Sequence, residues 1–375
     1  MHYLDHAATT PVSRETAEKM IAVLTEGYGN PSAQYAHGRS AKKLVDDSRA
    51  AIAKALGCKS AELFFTSCGT ESDNWAIRAA LHQNRHVGRH IITTAVEHSA
   101  VLQLCRELEG QGYEVTYLKP DHTGSVTAQQ VADALREDTA LVSMMLVNNE
   151  TGAIFPVSEV AALLKNRRTL LHTDAVQAFL KVPFTAKSLG ADYIALSAHK
   201  IGGPKGIGAL YIGGKARSPR PLLYGGGQES GLRPGTEATH QIAGFAAAVE
   251  HRFAHMAEHT AHMAEMKAYA AGKLGTIPTL QFVGQGQAPH ILSISLPGYP
   301  SQNIVSDLDS QGICISAGSA CHRGKASHVL VAMGLEKKTA AGTVRVSFGP
   351  DTTREDIDAL CEALLRHKNT RFPML

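Results

Sequence analysis

A chain of 375 residues, 44% of them hydrophobic and 19% charged, carries enough apolar material for one large or two ordinary buried cores. Its net charge of +3, with Lys and Arg scattered, excludes the clustered basic face that a nucleic-acid binder needs. No apolar run approaches the roughly 20 residues that span a bilayer, no secretory signal opens the chain, and the six cysteines form no C-x-x-C pair, so a cytoplasmic protein with reduced thiols is expected.

Taken in order, residues 3–10 read as a strand-like entry ending at Pro11. Ser13 is placed to cap a helix over 13–24, and a second amphipathic helix over 40–56 is closed by Gly57. From 60 to 215 the pattern alternates. Strands are predicted over 63–66, 90–94, 113–118, 140–147, 169–173, 193–196 and 208–212. Helices over 70–82, 98–111, 128–136 and 158–166 lie between them. Such alternation predicts an α/β fold, with a mostly parallel sheet carrying helices on both faces.

After Gly244 the texture changes. One long helix over 241–274 precedes Pro278, and shorter strands over 291–296, 313–316 and 343–348 follow, with helices between and after them. This predicts a smaller α+β C-terminal domain. His251, His255, His259 and His262 recur along the long helix at three- and four-residue spacing. A helical His pair can hold a metal, but no carboxylate or Cys completes a ligand pattern here, so a solvated face is the expected reading and no metal site is assigned.

Chemistry-bearing residues sit just past the predicted strands, where a parallel sheet presents its ligands. The strand over 193–196 leads into Ser197, His199 and Lys200, then a loop rich in Gly and Pro. A buried lysine amine has a lowered pKa and forms a Schiff base with a carbonyl; Lys205, five residues on, suits an ordinary surface role. The loop 202–208 opens no helix and matches no nucleotide-binding pattern. Gly69 and Thr70 open a helix whose free N–H groups suit a phosphate, although a plain cap explains them too. Asp174 ends a strand and needs a positive partner, either a pyridinium nitrogen or a nearby Arg or Lys. His98 offers a flat ring, and Asn148 to Glu150 offer amides. A lysine for an aldehyde, an aspartate for a ring nitrogen, a helix end for a phosphate and a ring face complement pyridoxal 5′-phosphate (PLP).

A second element is Ser316-Ala-Gly-Ser-Ala-Cys321. A cysteine in a small-residue loop beside His322, Arg323 and Lys325 favours the nucleophilic thiolate. Cys58, Cys105 and Cys361, in helical contexts, suit inert thiols, and Cys314 suits a strand. Arg345, flanked by apolar residues on a strand, wants a carboxylate, from a substrate amino acid or from a structural salt bridge.

These motifs resemble the cysteine desulfurases of the class V aminotransferase group, fold-type I PLP enzymes, of the housekeeping iron–sulfur and tRNA-thiolation type. The resemblance runs from Tyr3 to about Gly349. It rests on Ala8-Thr-Thr-Pro11, Gly29-Asn-Pro31, Thr70-Glu-Ser-Asp-Asn74, Glu97-His98, Val147-Asn-Asn-Glu150, Asp174-Ala-Val-Gln177, Ser197-Ala-His-Lys200 with the glycine-rich loop after it, Gly225-Gly-Gly-Gln228 and Gly318-Ser-Ala-Cys321.

The resemblance implies a large PLP domain over 13–250 and a small domain made of 1–12 with 251–375. It implies that Lys200 carries PLP and later exchanges protons, that Asp174 pairs with the pyridine nitrogen, and that Gln177 bonds the ring oxygen. His98 would stack on the ring; Gly69, Thr70, Ser197 and His199 would bind the phosphate, joined by Thr236 from the other subunit of a homodimer. Asn149 would touch cofactor and substrate, and Asn30 with Arg345 would hold the carboxylate of L-cysteine. Cys321 would take the sulfur as a persulfide, pass it to an acceptor protein, and be open to a transient iron–sulfur contact. Two departures stand out. The loop over 321–327 is shorter and more basic than in the usual members, and the sequence ends at Leu375 where they continue into a tail that docks an iron–sulfur scaffold. The competing readings are a selenocysteine lyase or another class V PLP aminotransferase, and a non-catalytic sulfur-relay scaffold.

Overall fold

The computed structural model describes residues 1–217, 219–317 and 327–374. Cys321 and its basic neighbours lie outside the described residues.

The chain enters through β1 (His2–Tyr3) and two helices, α1 (Arg14–Thr25) and α2 (Ala36–Leu56). The Ser13 side chain accepts from the Thr16 N–H, and Gly57 ends α2 with a left-handed φ of 71°. Helix α2 starts a turn earlier than its periodicity predicts. Gly38 sits in that extra turn, where a Cβ would stand 2.4 Å from the Ala33 carbonyl oxygen. The glycine that hides the turn from propensity is the residue that lets it pack.

Seven strands build the main sheet: β2 (Leu63–Thr66), β3 (His90–Thr94), β4 (Glu114–Leu118), β5 (Thr139–Ser143), β6 (Leu170–Asp174), β7 (Tyr193–Ser197) and β8 (Gly208–Ile212). Their connections carry α3 (Gly69–Gln83), α4 (Ser99–Gly110), α5 (Ala128–Ala134), α6 (Val157–Leu163) and α7 (Ala186–Leu189). The spatial order is β2-β8-β7-β6-β5-β3-β4. Every pairing is parallel except those of β8, which runs antiparallel to β7 and to β2. The reason is length: residues 198–207 are too few for a helical crossover, so β8 turns straight back. That turn carries Lys200. The five strands β3, β5, β6, β7 and β8 are buried throughout, which explains why none shows the apolar–polar alternation of a half-exposed strand. Strand β5 is shorter than predicted: its ladder stops at Ser143, although the N–H groups of Met144 and Leu146 still reach His172 and Asp174 carbonyls.

The predicted long helix is two helices, α8 (Thr239–Ala254) and α9 (Met256–Leu274). The break is at His255, whose φ and ψ are −111° and 16°. Its own Nδ1 lies 2.9 Å from the His251 carbonyl, closer than its backbone N–H at 3.3 Å. A side chain that competes for the carbonyl four residues back breaks the ladder there.

The rest of the chain adds β9 (Gln281–Phe282), β10 (Ile291–Ser295), α10 (Ser301–Asp309), β11 (Ile313–Cys314), α11 (His328–Ala332), α12 (Lys337–Ala341), β12 (Thr343–Ser347) and α13 (Arg354–Thr370). Strand β10 pairs antiparallel with β12 and β9, and β11 pairs parallel with β1. Leu4 packs into the hydrophobic cluster of this C-terminal layer, whereas Ala7 joins the cluster of the main sheet. The first residues therefore tie the two layers together. No helix among the described residues is long and apolar enough to cross a membrane.

Candidate active site

A cavity of about 350 Å³ opens at the carboxyl ends of the parallel strands. It is lined by Lys200, Asp174, Ser197, His199, Gln177 and His98, and also by Gly69, Thr70, Asn149 and Arg345. Ten residues singled out along the sequence thus meet in one place. Asn30 and Thr236 do not line it. Asn30 is exposed, its Oδ1 accepting from the Ser32 N–H, and Thr236 lies on the exposed surface. Lys205 is exposed as well.

The Lys200 Nζ donates to the carbonyl oxygens of Ala7 and Ala8 at 2.8 and 2.7 Å. Burial, helped by Arg345, brings its pKa down to about 8, against the pull of Asp5 and Asp174. A sizeable share of the amine is therefore neutral near physiological pH, the state a Schiff base needs. Burial pushes Asp174 up from the usual carboxylate range, with His98, the Val176 N–H and Lys200 acting against it. Its Oδ1 accepts from the Val176 N–H at 2.9 Å. No ion pair neutralises this carboxylate among the described residues, so a bound cationic nitrogen would be strongly held.

At the other end of the cavity, α3 begins without a side-chain cap, which leaves its first N–H groups for a ligand. Gly69 is needed there, because a Cβ would stand 2.8 Å from Val176 Cγ2. The Ser197 Oγ is buried and has no hydrogen-bond partner among the described residues, a costly state unless a ligand supplies one. Burial and Lys200 lower the His199 pKa to about 3, so the ring is neutral; its Nδ1 lies 3.2 Å from Thr9 Oγ1. His98 caps α4 through Nδ1, which accepts from the Ala100 N–H at 3.2 Å, leaving Nε2 for proton exchange. Gln177 donates to the Ala7 carbonyl and accepts from Lys181.

Arg345, on β12, donates to the Asn149 carbonyl at 2.7 Å and to Asp5 Oδ1 at 2.8 Å. Its buried Nε has no partner among the described residues. The strand beside it leads to Ser316, which exchanges two backbone hydrogen bonds with Arg345 and lines the cavity. His328 lines it too, with Nε2 3.0 Å from the Glu97 carbonyl. Burial raises the thiols of Cys58 and Cys105 to about 12 and that of Cys361 to about 11, which makes them the inert cysteines the sequence suggests.

Sequence reasoning gave no role to Asp73 or Glu97. Asp73 is fully buried on the inner face of α3 and lines the cavity; its carboxylate lies 3.3 Å from His172 Nε2, and Ser143 Oγ lies 2.9 Å from His172 Nδ1. Burial, then the neighbouring acids, pushes Asp73 well up, and burial takes His172 down to about 3. Burial raises Glu97 to about 8; it accepts from Thr94 Oγ1 and the Met145 N–H. The available signal was an acid among Trp75, Ala76 and Ala79 on a buried helix face, where an unpaired charge has no structural excuse.

PLP fits these residues. The uncapped helix end and the orphaned Ser197 hydroxyl suit its phosphate, the uncompensated Asp174 suits its ring nitrogen, and the Lys200 amine suits its aldehyde.

Comparison with known proteins agrees. The aminotransferase class-V family model matches residues 2–360. The cysteine desulfurase IscS of Clostridium botulinum (strain Hall) is 40% identical over 369 residues, which is 96% of this chain and 93% of that protein. A solved NifS-like protein superposes with a TM-score of 0.93 at 36% identity, covering 98% of this chain and 99% of its own. SspA, solved in complex with cysteine, gives a TM-score of 0.82 at 33% identity over 94% of this chain and 100% of its own. On matches spanning nearly its whole length, the chain belongs to the class V aminotransferases and, within them, to the cysteine desulfurases.

Proposed function

We propose that the chain takes sulfur from L-cysteine, releases L-alanine, and carries the sulfur as a persulfide on Cys321 to an acceptor protein for iron–sulfur assembly or thiolation. The observation that carries this reading is a lysine amine near neutrality sharing one cavity with an uncompensated aspartate and a guanidinium that has a free buried donor.

PLP, when bound, supplies a carbonyl for the amine and an electron sink for the substrate carbon. The chain does the rest. Lys200 holds the cofactor and then moves protons at the substrate carbon, a task for an amine with a pKa near ambient pH. Asp174 keeps the ring nitrogen protonated. Gly69, Thr70, Ser197 and His199 bind the phosphate, and Gln177 the ring oxygen. His98 covers the ring and exchanges protons through Nε2. Arg345 binds the substrate carboxylate beside Asn149; Asn30, which lies outside this cavity, would have to move in to join them.

Cys321 attacks the substrate sulfur as a thiolate. The carbon–sulfur bond breaks, sulfur stays on Cys321, and the carbon takes a proton to give alanine, so no outside oxidant is needed. Ser316 and His328, on either side of the segment that holds Cys321, both line the cavity, which supports this assignment. Homodimer formation that brings Thr236 to the partner's phosphate, a cytoplasmic location, and lobes of 13–250 and of 1–12 with 251–375 complete the reading.

Mass spectrometry after incubation with L-cysteine tests it. The Cys321 peptide is expected to gain one sulfur atom, and the Cys321→Ala variant to lose sulfide transfer. Normal alanine release from an unmodified Cys321 would reject its role. A strong preference for L-selenocysteine would replace the substrate and leave the site intact.

A further inference from the structure

A second cavity, of about 290 Å³, lies behind the Lys200 turn and shares no lining residue with the first. The N-terminal segment separates the two: Asp5, Ala7 and Ala8 face the first cavity, while His6 and Thr10 to Ser13 line the second. Ile201 and Gly202, just past Lys200, form another wall, and α8 contributes His251 and Arg252. His259 of α9 and Pro350 with Asp351, after β12, complete it.

Arg252 is only 4% exposed. Its Nε donates to the Ile201 carbonyl at 3.3 Å, but its Nη1 is buried with no partner among the described residues. Among the described residues no carboxylate reaches ion-pair distance of it; Asp351 acts on it only through space. His6 Nδ1 and His259 Nδ1 are likewise buried and unpartnered. Of the acids nearby, Glu15 is engaged with His251 at 3.7 Å, and Asp351 is exposed. A permanent cation with a free buried Nη1 and two imidazoles with a free buried Nδ1 therefore border one cavity. A buried guanidinium in that state is strongly disfavoured unless an anion completes it. A metal does not suit the place: no group of His, Cys, Asp or Glu that could hold one exists among the described residues. The volume takes a tetrahedral ion with a few waters.

We propose that this cavity binds a small oxyanion, of the phosphate or sulfate type, on Arg252 with His6 and His259 as further donors. The site is built from α8, α9 and the N-terminal segment, and it touches the chain next to Lys200 without opening into the catalytic cavity.

Calorimetric titration of the cofactor-loaded enzyme with sulfate, and separately with inorganic phosphate, at constant ionic strength tests it. Cofactor loading keeps the phosphate cradle filled. One saturable ion per chain is expected. Arg252→Gln is expected to weaken it by about ten-fold or more, as for a lost charged hydrogen bond. Asp351→Asn, an exposed change that leaves the core untouched, is expected to tighten binding by removing the opposing charge. No saturable binding, or binding that survives Arg252→Gln and disappears with Arg345→Gln, overturns the proposal. If Arg252→Gln does not fold, the Asp351→Asn titration decides: unchanged or weaker binding overturns it.

Discussion

The surroundings in front of and behind the Lys200 turn differ in charge: the front is rich in carboxyl groups facing Lys200 and Arg345, the back in cations and imidazoles with one exposed acid, Asp351. In front stand carboxyl groups: Asp5, Asp73, Glu150 and Asp174 all line the cavity, with Glu97 behind its wall. Behind stand cations and imidazoles: Lys181, fully buried, with Arg252, His6 and His290 around it. The two buried lysines show what this does. Lys200, which faces the acids and holds two carbonyl oxygens, settles near 8. Lys181, whose amine donates to Gln177, is driven far below the usual lysine range, by burial first and then by the cations Lys200, Arg252 and Arg345. Burial alone makes a lysine neutral; the facing acids return it to a pKa at which it can both take and give a proton.

The largest effect is expected from removing the front amine. Lys200→Ala should lose the borohydride-fixable chromophore entirely and cut alanine formation by at least about a thousand-fold, within the range for a lost acid–base group. Absorbance after borohydride and a turnover assay read the two. The same residue predicts that cofactor capture by the free protein speeds up with pH, about ten-fold per unit below its pKa of about 8, and levels off above it. A flat profile would place the acids too far away to matter.

Next in size is Arg345→Gln, which leaves Asp5 without its partner and the substrate carboxylate without a cation. The KM for L-cysteine should rise by about ten- to a hundred-fold, the equivalent of a charged hydrogen bond or two, with a smaller change in kcat.

The smallest effect is on stability. Glu97 is raised to about 8 in the folded chain, so between the ordinary glutamate range and that value the fold binds a proton that the unfolded chain has lost. Stability conferred by this group is thus present at low pH and lost as pH rises toward 8, by at most about 1.4 kcal/mol per unit. Glu97→Gln should flatten that slope in denaturant titrations of the cofactor-free protein. An unchanged slope would mean that Asp73 and Asp174 carry the proton instead.

Much of the fold was legible because its signals are local. Fully buried parallel strands show no apolar–polar alternation, and β2 and β8 match their predicted limits. The misjudged places have nearby physical causes. The kink at His255 depends on a side chain choosing a carbonyl, and the first turn of α2 hides behind Gly38. The site was legible as residue types at strand ends. Its inner acids were harder to read: Asp73 shows only as an acid on an apolar helix face, and Glu97 reads like an ordinary surface position until burial is known.

The sequence by itself determined which chemistry was available: a lysine, an aspartate and a phosphate-ready helix start, each just past a short apolar run, and an arginine within one. Periodicity and turn residues act over a few positions, so they specify elements and what caps them. Only the tertiary structure decided that β8 turns back next to β7, that Ala7 and Ala8 come to hold Lys200, and that Arg252 is enclosed with a free Nη1 among the described residues. Those facts join residues up to nearly two hundred positions apart, and burial and Coulomb energy exist only once distant segments exclude water from the same place.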